Sequence, residues 1–168
     1  MNVVLIGFMC SGKSRVGQAL ARKLNWPHFD TDEMIVNDVG APIADIIKKQ
    51  GEPAFRSVEK KAVQLVSSLD KSVISTGGGV PMDADNMAAL KKNGELVWLK
   101  ISPETVLKRA GNLKSRPLID PARPLESIRE RMAERESAYS KAGFHIDVDN
   151  LTPDALADKV AAALSSKI

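Results

Sequence analysis

Gly7-Phe8-Met9-Cys10-Ser11-Gly12-Lys13-Ser14 is the stretch that decides the fold. It fits G-x-x-x-x-G-K-[ST], a loop whose glycines let successive backbone N–H groups converge on one anion. Before it, Val3-Val4-Leu5-Ile6 is a continuous apolar run of the kind a buried parallel strand shows. After it, Val16, Leu20, Ala21 and Leu24 recur at helical spacing. Strand, glycine-bounded loop and helix together turn a pattern into a mechanism, because the helix N-terminus adds its own partial positive charge. In that frame Lys13 reaches the β- and γ-phosphates of a nucleotide and Ser14 holds Mg²⁺ through its hydroxyl. A random chain of this length would match the motif roughly once in a few hundred. The sequence therefore implies a protein that binds a nucleoside triphosphate.

The bulk properties narrow the setting. The chain has 168 residues, 43% apolar and 27% charged, which fits one globular domain with a single substantial core. Its net charge of +3 carries no dense Lys/Arg run, so nucleic acid is not an expected partner, and no run approaches the ~18 apolar residues needed to span a bilayer, so neither is a membrane. Cys10 is the only cysteine, which excludes an intrachain disulfide and suits a reducing, cytoplasmic setting. The first apolar segment runs straight into the phosphate loop without a basic leader, and is read as a core strand rather than a signal peptide.

Downstream, His28-Phe29 leads into Asp30-Thr31-Asp32, read as the end of a short second strand. Residues two apart on an extended segment share a face, roughly 7 Å apart. Two carboxylates at the carboxyl end of a strand stand where open α/β sheets place their ligands. One could serve a metal's water shell and the other a substrate hydroxyl, or Asp32 could cap a helix beginning at Glu33. Residues 33–69 read as several helices broken at Gly40-Ala41-Pro42 and Gly51-Glu52-Pro53, with Arg56 either a solvated residue or an anion clamp. Val73-Ile74 is a further buried strand, ending in Ser75-Thr76-Gly77-Gly78-Gly79, and three consecutive glycines mark close backbone approach to a ligand. A helix over 83–92, a strand at Leu96–Leu99 and a helix opened by Ser102-Pro103-Glu104 follow. The polar stretch 111–121, carrying Lys114 and Arg116, reads as a mobile loop, either a lid that brings cations onto phosphates or a tolerated surface loop. A long charged helix covers 125–141, Phe144–Val148 alternates as a fifth strand, and Thr152-Pro153-Asp154 opens the closing helix. Strands alternating with helices predict an α/β fold of three layers, α/β/α, around a five-stranded parallel sheet.

The motifs together resemble the shikimate kinase family, within the nucleoside monophosphate kinase type of phosphate-loop kinases. The likeness runs end to end through Gly7–Ser14 with Gly17, Phe29-Asp30-Thr31-Asp32, Gly51-Glu52-Pro53-Ala54-Phe55-Arg56 with Glu59, Ser75–Val80, Arg116-Pro117-Leu118, and Arg135 four residues before Tyr139. The resemblance implies transfer of the γ-phosphoryl of ATP to the 3-hydroxyl of shikimate, with Mg²⁺, in aromatic amino-acid biosynthesis, by a monomer. It implies one domain over 1–168, with a substrate-binding region at about 31–60 and a lid at about 111–123. By position, Lys13, Asp32 and Arg116 would be catalytic, Asp32 binding the substrate hydroxyls and accepting the proton. Cys10, Ser11, Gly12, Lys13, Ser14 and Arg15 would surround the nucleotide phosphates, Arg116 would reach them from the lid, and Arg109 would lie near adenine. Arg56 and Arg135 would hold the shikimate carboxylate, Gly78 and Gly79 would meet substrate by backbone, and Ser14 and Asp30 would serve the metal.

The departures from the family pattern are few. Cys10-Ser11 stands where Gly-Ala is commoner, Arg15 where a Thr often follows, and Leu151-Thr152-Pro153 lacks an arginine that some members carry. The rival readings are another small-metabolite kinase such as a gluconate kinase, a nucleoside monophosphate kinase, and a GTP-dependent switch. The last lacks an Asn-Lys-x-Asp tetrapeptide to read guanine.

Overall fold

The structure is a computed structural model that describes residues 1–111 and 119–167. The strands are β1 (Asn2–Ile6), β2 (His28–Asp30), β3 (Val73–Ser75), β4 (Gly94–Lys100) and β5 (Phe144–Asp147). The helices are α1 (Lys13–Leu24), α2 (Thr31–Val39), α3 (Ile43–Gln50), α4 (Glu52–Ser67), α5 (Ala84–Lys92), α6 (Pro103–Ala110), α7 (Pro124–Tyr139) and α8 (Pro153–Leu164), and a 3₁₀ turn spans Val80–Met82.

All strand pairs are parallel, in the order β2-β3-β1-β4-β5. Val3 to Ile6 are all at most 1% exposed, because β1 is central and covered on both faces. The connection from β1 to β2 crosses the sheet in one direction and the later ones cross in the other. Right-handed crossovers then put α1 on one face and α4 and α5 on the opposite one. Helix α8 returns to pack on α1, which completes three layers. The reversal falls at β1 and β3, whose carboxyl ends open a crevice of the kind that receives ligands in such sheets. The loop after β1 is the phosphate loop, and the loop after β3 carries the three glycines. Register fixes their neighbours: Leu5 lies beside Ser75, and Ser75 beside Asp30.

Local chemistry starts the helices. Ser102 and Thr152 cap α6 and α8 by accepting the N–H of Thr105 and Ala155, each followed by proline in the first turn. Gly12, at φ 88°, turns the chain into α1. The one element boundary that differs materially from expectation is at 30–32. The strand ends at Asp30, whose side chain accepts the N–H groups of Asp32 and Glu33, so α2 begins at Thr31. The cap is therefore Asp30 rather than Asp32, and the two carboxylates do not share an extended face. A second, smaller apolar cluster of Ile35, Ile46 and Phe55 holds α2, α3 and α4 together over the crevice.

Under the phosphate loop, His28 Nε2 lies 2.9 Å from Ser75 Oγ, and Ser75 Oγ donates to the Lys13 carbonyl at 3.0 Å. The hydroxyl has one proton, so His28 is the donor to it and carries its hydrogen on Nε2. Gly17 makes room for this chain, since a Cβ there would come within 2.5 Å of both His28 Nε2 and Ser75 Oγ. Gly17→Ala should thus lower stability by about 1–3 kcal/mol through overpacking, and Gly17→Ala/His28→Ala should recover part of it. Urea denaturation of the two variants checks this; equal midpoints for Gly17→Ala and the parent would contradict it.

Candidate active site

The phosphate loop and α1 supply the cationic side of the crevice. The first-turn N–H groups of a helix have no intrahelical partner, so those of Lys13, Ser14 and Arg15 at the start of α1 are open to an anion. Lys13 Nζ folds back onto the carbonyls of Gly7 and Phe8, at 2.9 and 3.0 Å. Burial lowers its pKa to about 8, although Asp32 and Asp30 pull the other way. Cys10 is half-buried at φ 63°, and Ser11 is fully buried. The Arg15 side chain is exposed. Arg109 donates to the Cys10 carbonyl at 3.1 Å and to the Val148 carbonyl at 3.4 Å, which ties α6 to the phosphate loop and the end of β5.

Asp30 joins this side to the other. Its Oδ2 accepts the Ser14 hydroxyl at 2.5 Å while its Oδ1 accepts the N–H groups of Asp32 and Glu33 at 3.0 and 3.4 Å. A hydroxyl and a carboxylate in contact beside a phosphate cradle are hard oxygen donors of the kind Mg²⁺ takes, with phosphates and water completing its shell. One carboxylate thus serves as helix cap and candidate metal group together.

Asp32 is left free of capping and faces Gly77, where a Cβ would come within 2.6 Å of Asp32 Oδ1 and 3.2 Å of Glu59 Oε1. Burial raises the Asp32 pKa to about 6, with Asp30 adding to the rise and Lys13 opposing it. Glu59 is 2% exposed and hydrogen-bonds Arg56 at 2.8 Å. Burial still lifts its pKa above the carboxylate norm, outweighing Arg56. For Arg56, burial works against the charge, and the hydrogen bonds to Glu59 and Glu52 outweigh it, so its pKa rises.

Each of the three glycines receives a side chain of the site. Gly77 borders Asp32, and the Gly78 carbonyl accepts from Tyr139 Oη at 2.7 Å and from Arg135 at 3.3 Å. At Gly79 a Cβ would collide with the Arg56 guanidinium. A cavity of about 370 Å³, lined in part by Arg56, Glu59, Gly79, Asn86 and Arg135, opens at this end. Arg135 also lies over the Phe8 ring, 5.4 Å from its centroid, so α7 grips both the phosphate loop and the glycine loop.

The structure therefore brings Lys13, Ser14, Asp30, Asp32, Arg56, Gly78, Gly79 and Arg135 to one crevice, with Arg109 at its edge. Lys114 and Arg116 lie outside the described residues. Sequence reasoning gave no role to Glu59, Tyr139 or Glu52, although all three fall within or beside motifs it quoted. The signal for Glu59 and Glu52 was their helical spacing of three and four from Arg56. Asn86 was missed altogether: it is 3% exposed in the same cavity, and among the described residues no donor reaches its Oδ1.

A phosphate loop beside a glycine run that Asp32 approaches at one end and Arg56 and Arg135 at the other defines a phosphotransferase of the phosphate-loop kinase class. The chain belongs to the shikimate kinase family. The family profile described as shikimate kinase matches residues 9–165. The shikimate kinase of Moorella thermoacetica is 42% identical over 165 residues, covering 98% of this chain and 95% of that one. The structure of a shikimate kinase from Acinetobacter baumannii in complex with shikimate superposes with a TM-score of 0.93 at 33% identity, covering 99% of this chain and 94% of that one. A gluconokinase from Sinorhizobium meliloti, at 15% identity and a TM-score of 0.56, covering 99% and 96%, shares the fold alone.

The burial of Asp32 has a thermodynamic consequence. Burial pushes the Asp32 pKa from the ordinary 3.8 up to about 6 in the folded protein. The folded state therefore binds this proton more tightly than the unfolded one, and stability is lost as pH rises across that interval and stays lost above it. Asp32→Asn should consequently raise the melting temperature at pH 7.5 and leave it little changed at pH 4. Differential scanning calorimetry at the two pH values checks this; a lower melting temperature at pH 7.5 would contradict it.

Proposed function

We propose that this chain transfers the γ-phosphoryl of ATP to the 3-hydroxyl of shikimate, giving shikimate 3-phosphate and ADP in the aromatic amino-acid pathway. The observation that carries the reading is the pairing, across Gly77–Gly79, of a desolvated Asp32 at one end with Arg56 and Arg135 at the other. A small acceptor with one carboxylate and several hydroxyls matches that spacing of one proton acceptor and two planar cations. Asp32, with a pKa of about 6, is ionised at neutral pH yet basic enough to take the acceptor hydroxyl's proton.

Lys13 leaves its loop carbonyls to meet the β- and γ-phosphates, and the N–H groups of Cys10 to Arg15 surround them. Ser14 and Asp30, in contact at 2.5 Å, would hold Mg²⁺, which would supply charge neutralisation on the phosphates. Arg109 lies toward adenine and Arg116 completes the cationic set. Phosphoryl transfer needs positioning and electrostatic stabilisation more than covalent catalysis, and these groups supply both. The Gly78 carbonyl is already engaged by Tyr139 and Arg135, so the backbone contacts to substrate come from the N–H groups of Gly78 and Gly79. The whole chain works as one domain and a monomer in the cytoplasm, with residues 31–60 as its acceptor region. No helix among the described residues is long and apolar enough to cross a membrane.

The deciding experiment is ADP release from Mg·ATP with shikimate, quinate, gluconate and nucleoside monophosphates as separate acceptors. Shikimate should stimulate turnover far above the basal rate, and the others little. Stimulation by another acceptor alone would reassign Arg56 and Arg135, and no stimulation by any would favour a nucleotide switch.

A further inference from the structure

The Arg56 guanidinium has each of its edges taken up by a neighbour. One side is held by Glu59, whose carboxylate accepts from NH1 at 2.8 Å. Its terminal NH1/NH2 edge faces Gly79, because a Cβ there would collide with NH1 and lie 2.9 Å from NH2 but 3.0 Å from Cζ. The remaining Nε/NH2 edge is taken by Glu52, whose Oε1 accepts from NH2 at 3.0 Å and from Nε at 3.3 Å. A carboxylate can engage Arg56 bidentately only where an edge is free.

The two acidic partners differ in how firmly they hold. Glu59 is 2% exposed, so losing its arginine would leave a buried carboxylate uncompensated. Glu52 is 64% exposed at the first position of α4, and water would solvate it fully once released. Exposed ion pairs of this kind are weak. The acceptor's carboxylate is therefore in competition with Glu52 and not with Glu59.

Building on the acceptor assignment above, we propose that Glu52 is a stand-in for the substrate carboxylate. It occupies the Nε/NH2 edge of Arg56 in the empty enzyme and is displaced when a monocarboxylate acceptor binds. Glu59 remains in place and keeps the guanidinium in register against Gly79. Glu52 is then an affinity-setting residue that acts through Arg56: it keeps the arginine ordered in the empty site at a cost in acceptor binding.

The test is steady-state kinetics of Glu52→Gln with shikimate and ATP varied in turn, alone and combined with Arg56→Ala. Removing the competing charge should lower the KM for shikimate about two- to fivefold, the size an exposed ion pair carries. The KM for ATP should not move, and the gain should vanish in the Arg56→Ala background. An unchanged or raised KM for shikimate in Glu52→Gln would overturn the proposal, since a residue that merely orients Arg56 weakens binding when removed. A gain that persists without Arg56 would overturn it as well. A parent enzyme inert toward shikimate but active on another acceptor would instead defeat the substrate assignment, and the inference with it.

Discussion

The Asp30 carboxylate is the contact on which the rest of the site depends. One oxygen starts α2 by taking two backbone N–H groups, and the other holds the hydroxyl that opens α1. The phosphate loop and α2 are thereby tied through a single side chain that is 8% exposed. A buried carboxylate is tolerable because both oxygens are hydrogen-bonded. Starting the helix at Thr31 is also what turns Asp32 out of the strand and toward Gly77. Had the strand continued to residue 32, the two acids would have lain side by side, and neither could have faced the glycine loop alone.

From that junction the crevice assembles charges that water can no longer screen well. Lys13 and Asp32 are each disfavoured in their charged forms by burial, and each lessens the other's penalty. Such opposed shifts are common where catalysis needs groups poised near neutral pH. The glycine run is the steric counterpart. Asp32, Arg135 and Arg56 approach the backbone of residues 77–79 in turn, and side chains there would displace Asp32 and Arg56 in particular. Tyr139 and Arg135 then fix the glycine loop from α7, so it is braced by an element far away in sequence.

Much of this was legible in the sequence, for local reasons. Val3–Ile6 reads as a central strand because burial on both faces demands an unbroken apolar run, and Gly12, Lys13 and Ser14 sit where phosphate geometry requires them. Ser102-Pro103 and Thr152-Pro153 start helices through contacts confined to one turn. The family resemblance separated the roles of Asp30 and Asp32, but the residues alone did not tell which of the two caps α2, because that is settled by the fold, which sets Asp30 against Ser14, sixteen residues away. Glu59 lies in Glu59-Lys60-Lys61, a stretch that reads as a solvated helix face, and only the fold shows it buried against Arg56 and Gly77. The glycines were read as room for a ligand, and the fold shows Asp32, Arg135 and Arg56 of the chain itself in close approach to them, which no local pattern announces.

The central claim is that Asp32 is a desolvated carboxylate able to accept a proton near neutral pH. Its most direct test is a ¹³C-carboxyl NMR titration of the free protein, with Asp32→Asn used to assign the resonance. Asp32 should titrate at about 6, well above the ordinary 3.8. A midpoint at the ordinary value would mean that the carboxylate is solvated, and would remove the basis for its role as proton acceptor.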